Sequence, residues 1–353
     1  MISIPSTVMK DALKKIGPAV DRRSPLKAFQ SVRIRVSGVS FEMTAGAIDG
    51  QATYRAQIDG ASAPIDVCVE ADRLVPLVAV ADDEIVLSPQ KNGRVKFSTS
   101  SHTVTVPSIP GSEFPLIKSE GAVIADVDVV GLPDLISSVS FAAAPKDIRP
   151  YCQGVWLESD GEVFSANATD SKVMAAAQVP LAAAPFSLML SVSACELIAA
   201  IDPDHIEITS SHLKARGNNV ELIVCPVSAP KIDWRRLSPE PKNSIVFDGD
   251  ALREAVSMHR HYGDKVGTVR FITEGAECTV EIDNVESKAE SALDAKLGSD
   301  ETSFNFSFSG SQLSKVLQHA PEEEVTIYWD AEKPRAFLIQ NGNWRGVISP
   351  LIV

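Results

Sequence analysis

The chain has 353 residues, 44% hydrophobic and 22% charged, with a formal net charge of −13 at pH 7. That length and balance suit an ordinary soluble globular protein of two or three domains, each with its own core. No apolar run is long enough to span a bilayer, and Met1 to Val20 lacks the basic start, apolar middle and small-residue cleavage site of a secretory leader, so a cytosolic location without membrane attachment is expected.

The first predicted helix carries Met9, Leu13 and Ile16 on one side and Lys10, Lys14 and Lys15 on the other, which makes a basic face available on a packed helix. An alternating strand at Val67 to Glu70 then runs into a helix around Leu74. Short strands follow at Glu84 to Leu87, Arg94 to Ser98 and Thr103 to Val106, the first two joined by Pro-Gln-Lys-Asn-Gly, which reads as a β-meander. The strand-to-helix step recurs at Val127 to Leu135, Leu188 to Leu197, Ile245 to Leu252 and Phe304 to Leu313. Further strands are predicted at Ile206 to Thr209, Leu213 to Arg216, Val220 to Val224, Thr268 to Ile272 and Cys278 to Ile282. The apolar pivots Met9, Leu74, Leu135, Leu197, Leu252 and Leu313 are spaced by 65, 61, 62, 55 and 61 residues. Such a period marks one supersecondary unit copied six times.

A helix laid on a small antiparallel sheet, repeated, is an α+β arrangement. Proline-rich stretches at Pro110 to Pro115 and Lys231 to Pro241 follow the second and fourth units and read as extended linkers. They divide the chain into three similar domains of two units each, 1–120, 121–241 and 242–353. Sheets built this way leave exposed edges, and closing the units into a ring through a twofold operator removes them.

Specific passages add a family. Asp147 to Val155 (Asp-Ile-Arg-Pro-Tyr-Cys-Gln-Gly-Val) is followed after one strand by Ala168 to Ala175 (Ala-Thr-Asp-Ser-Lys-Val-Met-Ala). Ser112 to Ile117, Asp233 to Pro239 and the terminal Val347 to Val353 keep the same order and spacing. On these passages the chain resembles the bacterial DNA polymerase III β sliding clamp over essentially its full length. The resemblance implies the DNA clamp fold and a head-to-tail homodimeric ring whose helices surround duplex DNA. It implies a non-catalytic processivity subunit with no cofactor and no metal. The implied DNA contacts are Lys10, Lys14, Arg22, Arg23, Arg73, Lys146 and Arg149, each of which taken singly also reads as a solvated surface charge. Weak, sequence-independent phosphate contacts of this kind suit sliding, and a local basic lining is compatible with an acidic total.

The resemblance also implies a pocket between the middle and last domains for a short peptide from the DNA polymerase III alpha subunit, the clamp loader and repair proteins. Its walls would be Arg149, Tyr151, Cys152, Thr169, Lys172, Val173, Met174, Pro239, Val347, Ser349, Pro350 and Leu351. Of these, Met174 and Val347 also fit inward-facing core positions. Lys172 and Val173 stand where the family usually has histidine and arginine, Cys152 replaces a leucine and Ser349 a methionine, so a less apolar, differently charged pocket is expected. At the implied ring interface Val104 and Val106 are apolar, whereas Arg260 and His261 replace the usual aliphatic residues, and a more polar, salt-sensitive contact is expected. A clamp-fold scaffold or mobile-element variant that captures replication proteins without being the main clamp is the alternative reading.

Enzymatic motifs are fragmentary. His259-x-His261 has no matching carboxylate motif, Ser24-x-x-Lys27 is interrupted by Pro25, and no phosphate-cradling glycine loop is present. The acidic runs Asp82 to Glu84 and Glu322 to Glu324 read as solvated turns, and Asn167-Ala168-Thr169 is irrelevant as a glycosylation acceptor in the cytosol. Cys68, Cys152, Cys195, Cys225 and Cys278 are odd in number and far apart, so they encode neither a disulfide framework nor a zinc site.

Overall fold

All six pivots lie in helices. In the computed structural model these are α1 (Ser6–Ile16), α2 (Ala71–Val80), α3 (Leu132–Ser140), α4 (Val192–Ile201), α5 (Gly249–Ser257) and, after the short α6 (His259–Tyr262), α7 (Gly310–Leu317). The structure describes residues 1–59, 64–118, 121–239, 242–274, 277–298, 303–330 and 334–351. The pivots are between 0% and 9% exposed, so the period in the sequence is a period of buried helix contacts. In α1 the buried stripe is Met9, Ala12 and Ile16, while Leu13 sits at its margin. The small Ala12 is the residue that faces inward. Entry into α5 is fixed by Asp248, whose carboxylate accepts a hydrogen bond from the Ala251 amide at 2.8 Å and so satisfies one donor of the first turn.

Each repeat is a leading strand, a helix and three antiparallel strands. The first has Ile2–Pro5, α1, Ser31–Ser37, Ser40–Gly46 and Gly50–Gln57, and the second Ile65–Glu70, α2, Glu84–Gln90, Arg94–Ser98 and Thr103–Pro107. The third has Val123–Asp128, α3, Gly154–Ser159, Val163–Thr169 and Val173–Pro180, and the fourth Phe186–Ser191, α4, His205–Thr209, Leu213–Gly217 and Val220–Val224. In the fifth, Asn243–Asp248 leads to α5, α6, Thr268–Glu274, Glu277–Asp283 and Lys288–Leu297. The sixth runs Phe306–Ser309, α7, Glu324–Trp329, Phe337–Asn341 and Trp344–Ile348.

Leading strands are exchanged within consecutive pairs of repeats. The first repeat's strand lies on the second repeat's meander (Ile2 opposite Leu87), and the second's on the first's (Val67 opposite Ile34). The third and fourth repeats do the same through Asp126–Glu207 and Trp156–Met189, and the fifth and sixth through Phe247–Val325 and Val269–Phe308. After each pair the chain returns to its second leading strand. Ile109 pairs with Cys68, Val227 bridges Met189, and Leu351 bridges Ser307. The same closing device thus occurs three times.

Trailing strands then join the meanders into longer sheets. Gly50–Gln57 pairs with Val220–Val224, and Val173–Pro180 with Trp344–Ile348. The described residues form a four-, a nine- and a twelve-stranded sheet. The chain separates into two compact bodies, Met1–Pro133 with Ser193–Pro226 and Asp134–Val192 with Val227–Val353. The first holds the four- and nine-stranded sheets, with a core that includes Ile4, Met9, Phe41 and Phe97. In the second, Phe304 is fully buried among Trp329, Phe271 and Phe337, at ring separations of 5.1, 5.7 and 5.8 Å.

The two expected linkers are not simply extended. Each contains a single 3₁₀ turn, Gly111–Glu113 and Trp234–Leu237, and each is anchored by a buried aromatic ring. Phe114 meets Phe29 edge-on at 6.4 Å, and Trp234 is 2% exposed. Aromatic burial outweighs the extended preference of the flanking prolines. The expected boundaries at 120 and 241 lie outside the described residues, as do Ile352 and Val353 of the terminal motif.

Candidate functional site

A cleft of about 770 Å³ opens in the second body. One wall is the hairpin turn between Val163–Thr169 and Val173–Pro180, and the side chains of Thr169 and Asp170 build it. Thr169 Oγ1 donates to the Val173 carbonyl at 2.7 Å and accepts from the Ser171 amide at 2.9 Å. Asp170 Oδ1 accepts from the Lys172 and Val173 amides at 2.8 and 2.7 Å. Ser171 takes a left-handed φ of 74°. The Ala-Thr-Asp passage is thus a self-capping turn. Its next residues are delivered to the cleft, and the Ser349 amide donates to the Lys172 carbonyl at 2.8 Å to bring the C-terminal segment alongside.

The floor is apolar. Met174 and Val347, 3% and 5% exposed, pack with Ala176 and Leu338 on the Trp234 ring, which in turn carries the Arg235 guanidinium at 4.6 Å from its centroid. Eight of the twelve expected wall residues line the cleft: Tyr151, Thr169, Lys172, Val173, Met174, Pro239, Val347 and Ser349. The other four do not. Cys152 is fully buried beneath, its thiol pushed up from its ordinary pKa by desolvation. Pro350 and Leu351 lie past the rim, where the Leu351 amide donates to the Ser307 carbonyl at 2.7 Å.

Arg149 is held away from the lining. Its guanidinium grips Asp147 with a two-pronged fork at 2.8 and 2.7 Å, and also donates to Ser171 Oγ at 2.6 Å and to the Asp170 carbonyl at 3.1 Å. This fork and the Arg149 amide hold the Asp147 carboxyl well below the usual carboxylate range. Arg149 therefore positions the Asp170–Lys172 turn. Its fork leaves exposed, at the loop tip, Ile148, which is 94% accessible.

The sequence reading missed Ile232, Arg236, Leu237 and Ser238 on one side of the cleft and Asp330, Pro334, Arg335 and Ala336 on another. Arg236, Leu237 and Ser238 fall inside the Asp233 to Pro239 passage and Ile232 directly precedes it, where Arg-Arg-Leu beside a buried tryptophan was the available signal. The second has no motif; it is brought in by pairing of Glu324–Trp329 with Phe337–Asn341.

The remaining candidates are dispersed. Lys10 lies on α1 with its ammonium donating to the Ala81 carbonyl at 2.6 Å, Arg22 pairs with Asp72 at 2.8 Å, and Arg73 pairs with Glu70. Lys14, Arg23 and Lys146 are exposed and have no ion-pair partner among the described residues. Val104 and Val106 border a groove of about 490 Å³ against Pro76, Leu77 and Val80 of α2. These three were not singled out, although α2 is apolar on both faces. Arg260 and His261 are exposed on α6. No group of metal-binding side chains occurs among the described residues, and none of their helices is long and apolar enough to cross a membrane.

No family model matches the chain. The beta sliding clamp of Pseudomonas putida is 23% identical over 359 residues, covering 96% of each chain. A crystal structure of the DNA polymerase sliding clamp from Pseudomonas aeruginosa with ligand superposes with a TM-score of 0.92 at 19% identity, over 100% of this chain and 99% of that one. Another from the same organism, bound to griselimycin, has a TM-score of 0.89 at 20% identity, over 100% and 99%. Sequence similarity along nearly the whole length and superposition of all six repeats agree: the chain is a divergent relative of the bacterial beta sliding clamps and has their fold.

Proposed function

We propose that the protein is a DNA sliding clamp, a non-catalytic processivity factor of the bacterial cytoplasm that two copies close into a ring around duplex DNA. Its three domains are the exchanged pairs of repeats, 1–120, 121–241 and 242–353. The reading rests on the sheet edges. Of the six trailing strands, four pair with one another, and two keep an open side among the described residues: Thr103–Pro107, and Lys288–Leu297 over its first seven residues. One open trailing edge belongs to the second repeat and one to the fifth. Joining them between two copies gives the same kind of junction as the two inside the chain and leaves no trailing edge open, which is the head-to-tail closure of a cyclic dimer. Val104 and Val106 would lie at that junction, with Arg260 and His261 nearby. Exposed Lys14, Arg23 and Lys146 would supply weak phosphate contacts suited to sliding. The cleft at Met174 and Val347 would take an extended apolar peptide from the replicative polymerase, the clamp loader or repair proteins.

Sedimentation should give about twice the chain mass of 37.8 kDa. Loaded protein should stay on circular DNA and be lost from linear DNA through its free ends. Equal retention on both, or a monomer at all concentrations, would overturn the reading.

A further inference from the structure

Among the described residues the charges around the cleft do not cancel. Arg236 is paired with Asp233 at 3.0 Å, Asp330 with Lys242 at 2.7 Å, and Arg149 with Asp147 at 2.7 Å. Lys172 and Arg335 line the same cleft, are exposed, and have no anionic partner among the described residues. Among the described residues the cleft therefore presents an apolar floor and two cations without an anionic partner. An uncharged apolar peptide satisfies the floor alone.

We infer that the cleft selects peptides carrying a carboxylate side chain among their apolar residues, with Lys172 and Arg335 as the specificity-determining side chains. This rests on the peptide-docking reading above. Neither cation belongs to the apolar floor, so both act on which peptide is chosen and not on whether one fits. A charge-assisted contact at a solvent-accessible rim is weaker than a buried one, and salt screens it over roughly 8 Å at physiological ionic strength. The preference should therefore be several-fold and should fade as salt rises.

The test uses the full-length protein and two fluorescently labelled, acetylated pentapeptides, Ala-Leu-Glu-Leu-Phe and Ala-Leu-Gln-Leu-Phe, titrated by anisotropy. The glutamate peptide should bind about 3- to 10-fold more tightly at low salt, with the gap closing as salt is raised. The exposed double substitution Lys172→Gln with Arg335→Gln should abolish the gap by weakening the glutamate peptide more than the glutamine peptide, and an unchanged urea midpoint reports that the protein is still folded. Equal binding of both peptides to the unsubstituted protein, or a gap that survives the double substitution, would refute charge selection and leave peptide docking standing. Binding of neither peptide would refute the docking reading itself, and this inference with it.

Discussion

Trp234 is the side chain on which the cleft floor rests, and its removal can be worked through in energy. Trp234 is 2% exposed and packs with Met174, Ala176, Leu338 and Val347. Truncating a buried tryptophan to alanine costs about 3–5 kcal/mol in lost transfer energy and residual cavity. Its indole N–H, however, is buried without an acceptor among the described residues. An orphan donor of that kind costs about 1–3 kcal/mol, and truncation returns it. Taking the middle of each range, the net expectation for Trp234→Ala is a loss of about 2 kcal/mol, or a fall in Tm of roughly 4–8 °C for a body of this size. Trp234→Phe keeps a ring under Met174 and Val347 and removes the orphan donor, so it should stay within about 1 kcal/mol of the unsubstituted protein. Urea denaturation gives both energies, and titration of a labelled apolar peptide should show weakened binding for the alanine variant only. Equal stability and affinity of the alanine variant and the unsubstituted protein would refute the argument. So would a phenylalanine variant as damaged as the alanine one, because the N–H and not the ring would then carry the effect.

Gly154→Ala should cost on the order of 3 kcal/mol or more in urea denaturation, because a Cβ there would sit 2.0 Å from the Leu190 carbonyl oxygen of the neighbouring strand; a midpoint equal to that of the unsubstituted protein would show that the strands part freely. Affinity for short linear duplex should fall with salt along a log–log slope no steeper than about −5, the value for three phosphate contacts per chain in a dimer; a slope near −10 would mean that Lys10, held by a backbone carbonyl, and the ion-paired Arg22 and Arg73 also engage. Arg149→Met should remove the support for a depressed Asp147 carboxyl. Asp147 is held below its unfolded value, so its stabilising contribution is present above about pH 4 and is lost as the pH drops further. The urea midpoints of variant and parent should accordingly differ at pH 6 and draw together only as the pH falls well below 3, and a difference that stays constant down to pH 2 would assign the effect of Arg149 to its contacts with Ser171 and Asp170 alone.

The sequence made the helices legible because each needs one apolar residue facing inward, and Met9, Leu74, Leu135, Leu197, Leu252 and Leu313 are all buried. Strands such as Arg94–Ser98 and Val220–Val224 were legible as alternating segments, others such as Ser31–Ser37 and Glu324–Trp329 were not read, and no strand's partner was. Alternation says which face of Ile2–Pro5 is apolar and nothing about whether its neighbour is Ser31–Ser37 or Glu84–Gln90. The anchoring of Phe114 and Trp234 was hidden for a different reason, since proline-rich surroundings suggest exposure while a single aromatic ring reverses it. Within the site, Thr169, Lys172, Val173 and Met174 were found through the family resemblance of the Ala168 to Ala175 passage, which one turn keeps together. Asp330 and Arg335 were missed because only sheet pairing brings them there. Arg149 shows the limit of assigning charge by position: a guanidinium that reads as a ligand contact spends its donors on Asp147, Ser171 and Asp170.

The reciprocal exchange of leading strands sets a minimum on what can fold during synthesis. Ile2 emerges from the ribosome among the first residues, yet the backbone it bonds to, around Leu87, arrives some eighty positions later. Until then the strand must wait, and loop-closure entropy is spent before any hydrogen bond rewards it. A lone repeat would lack a leading strand and expose the apolar side of another. The smallest piece in which every leading strand keeps its partner is a couple, and a shortened version or graft cut inside one would lose that pairing.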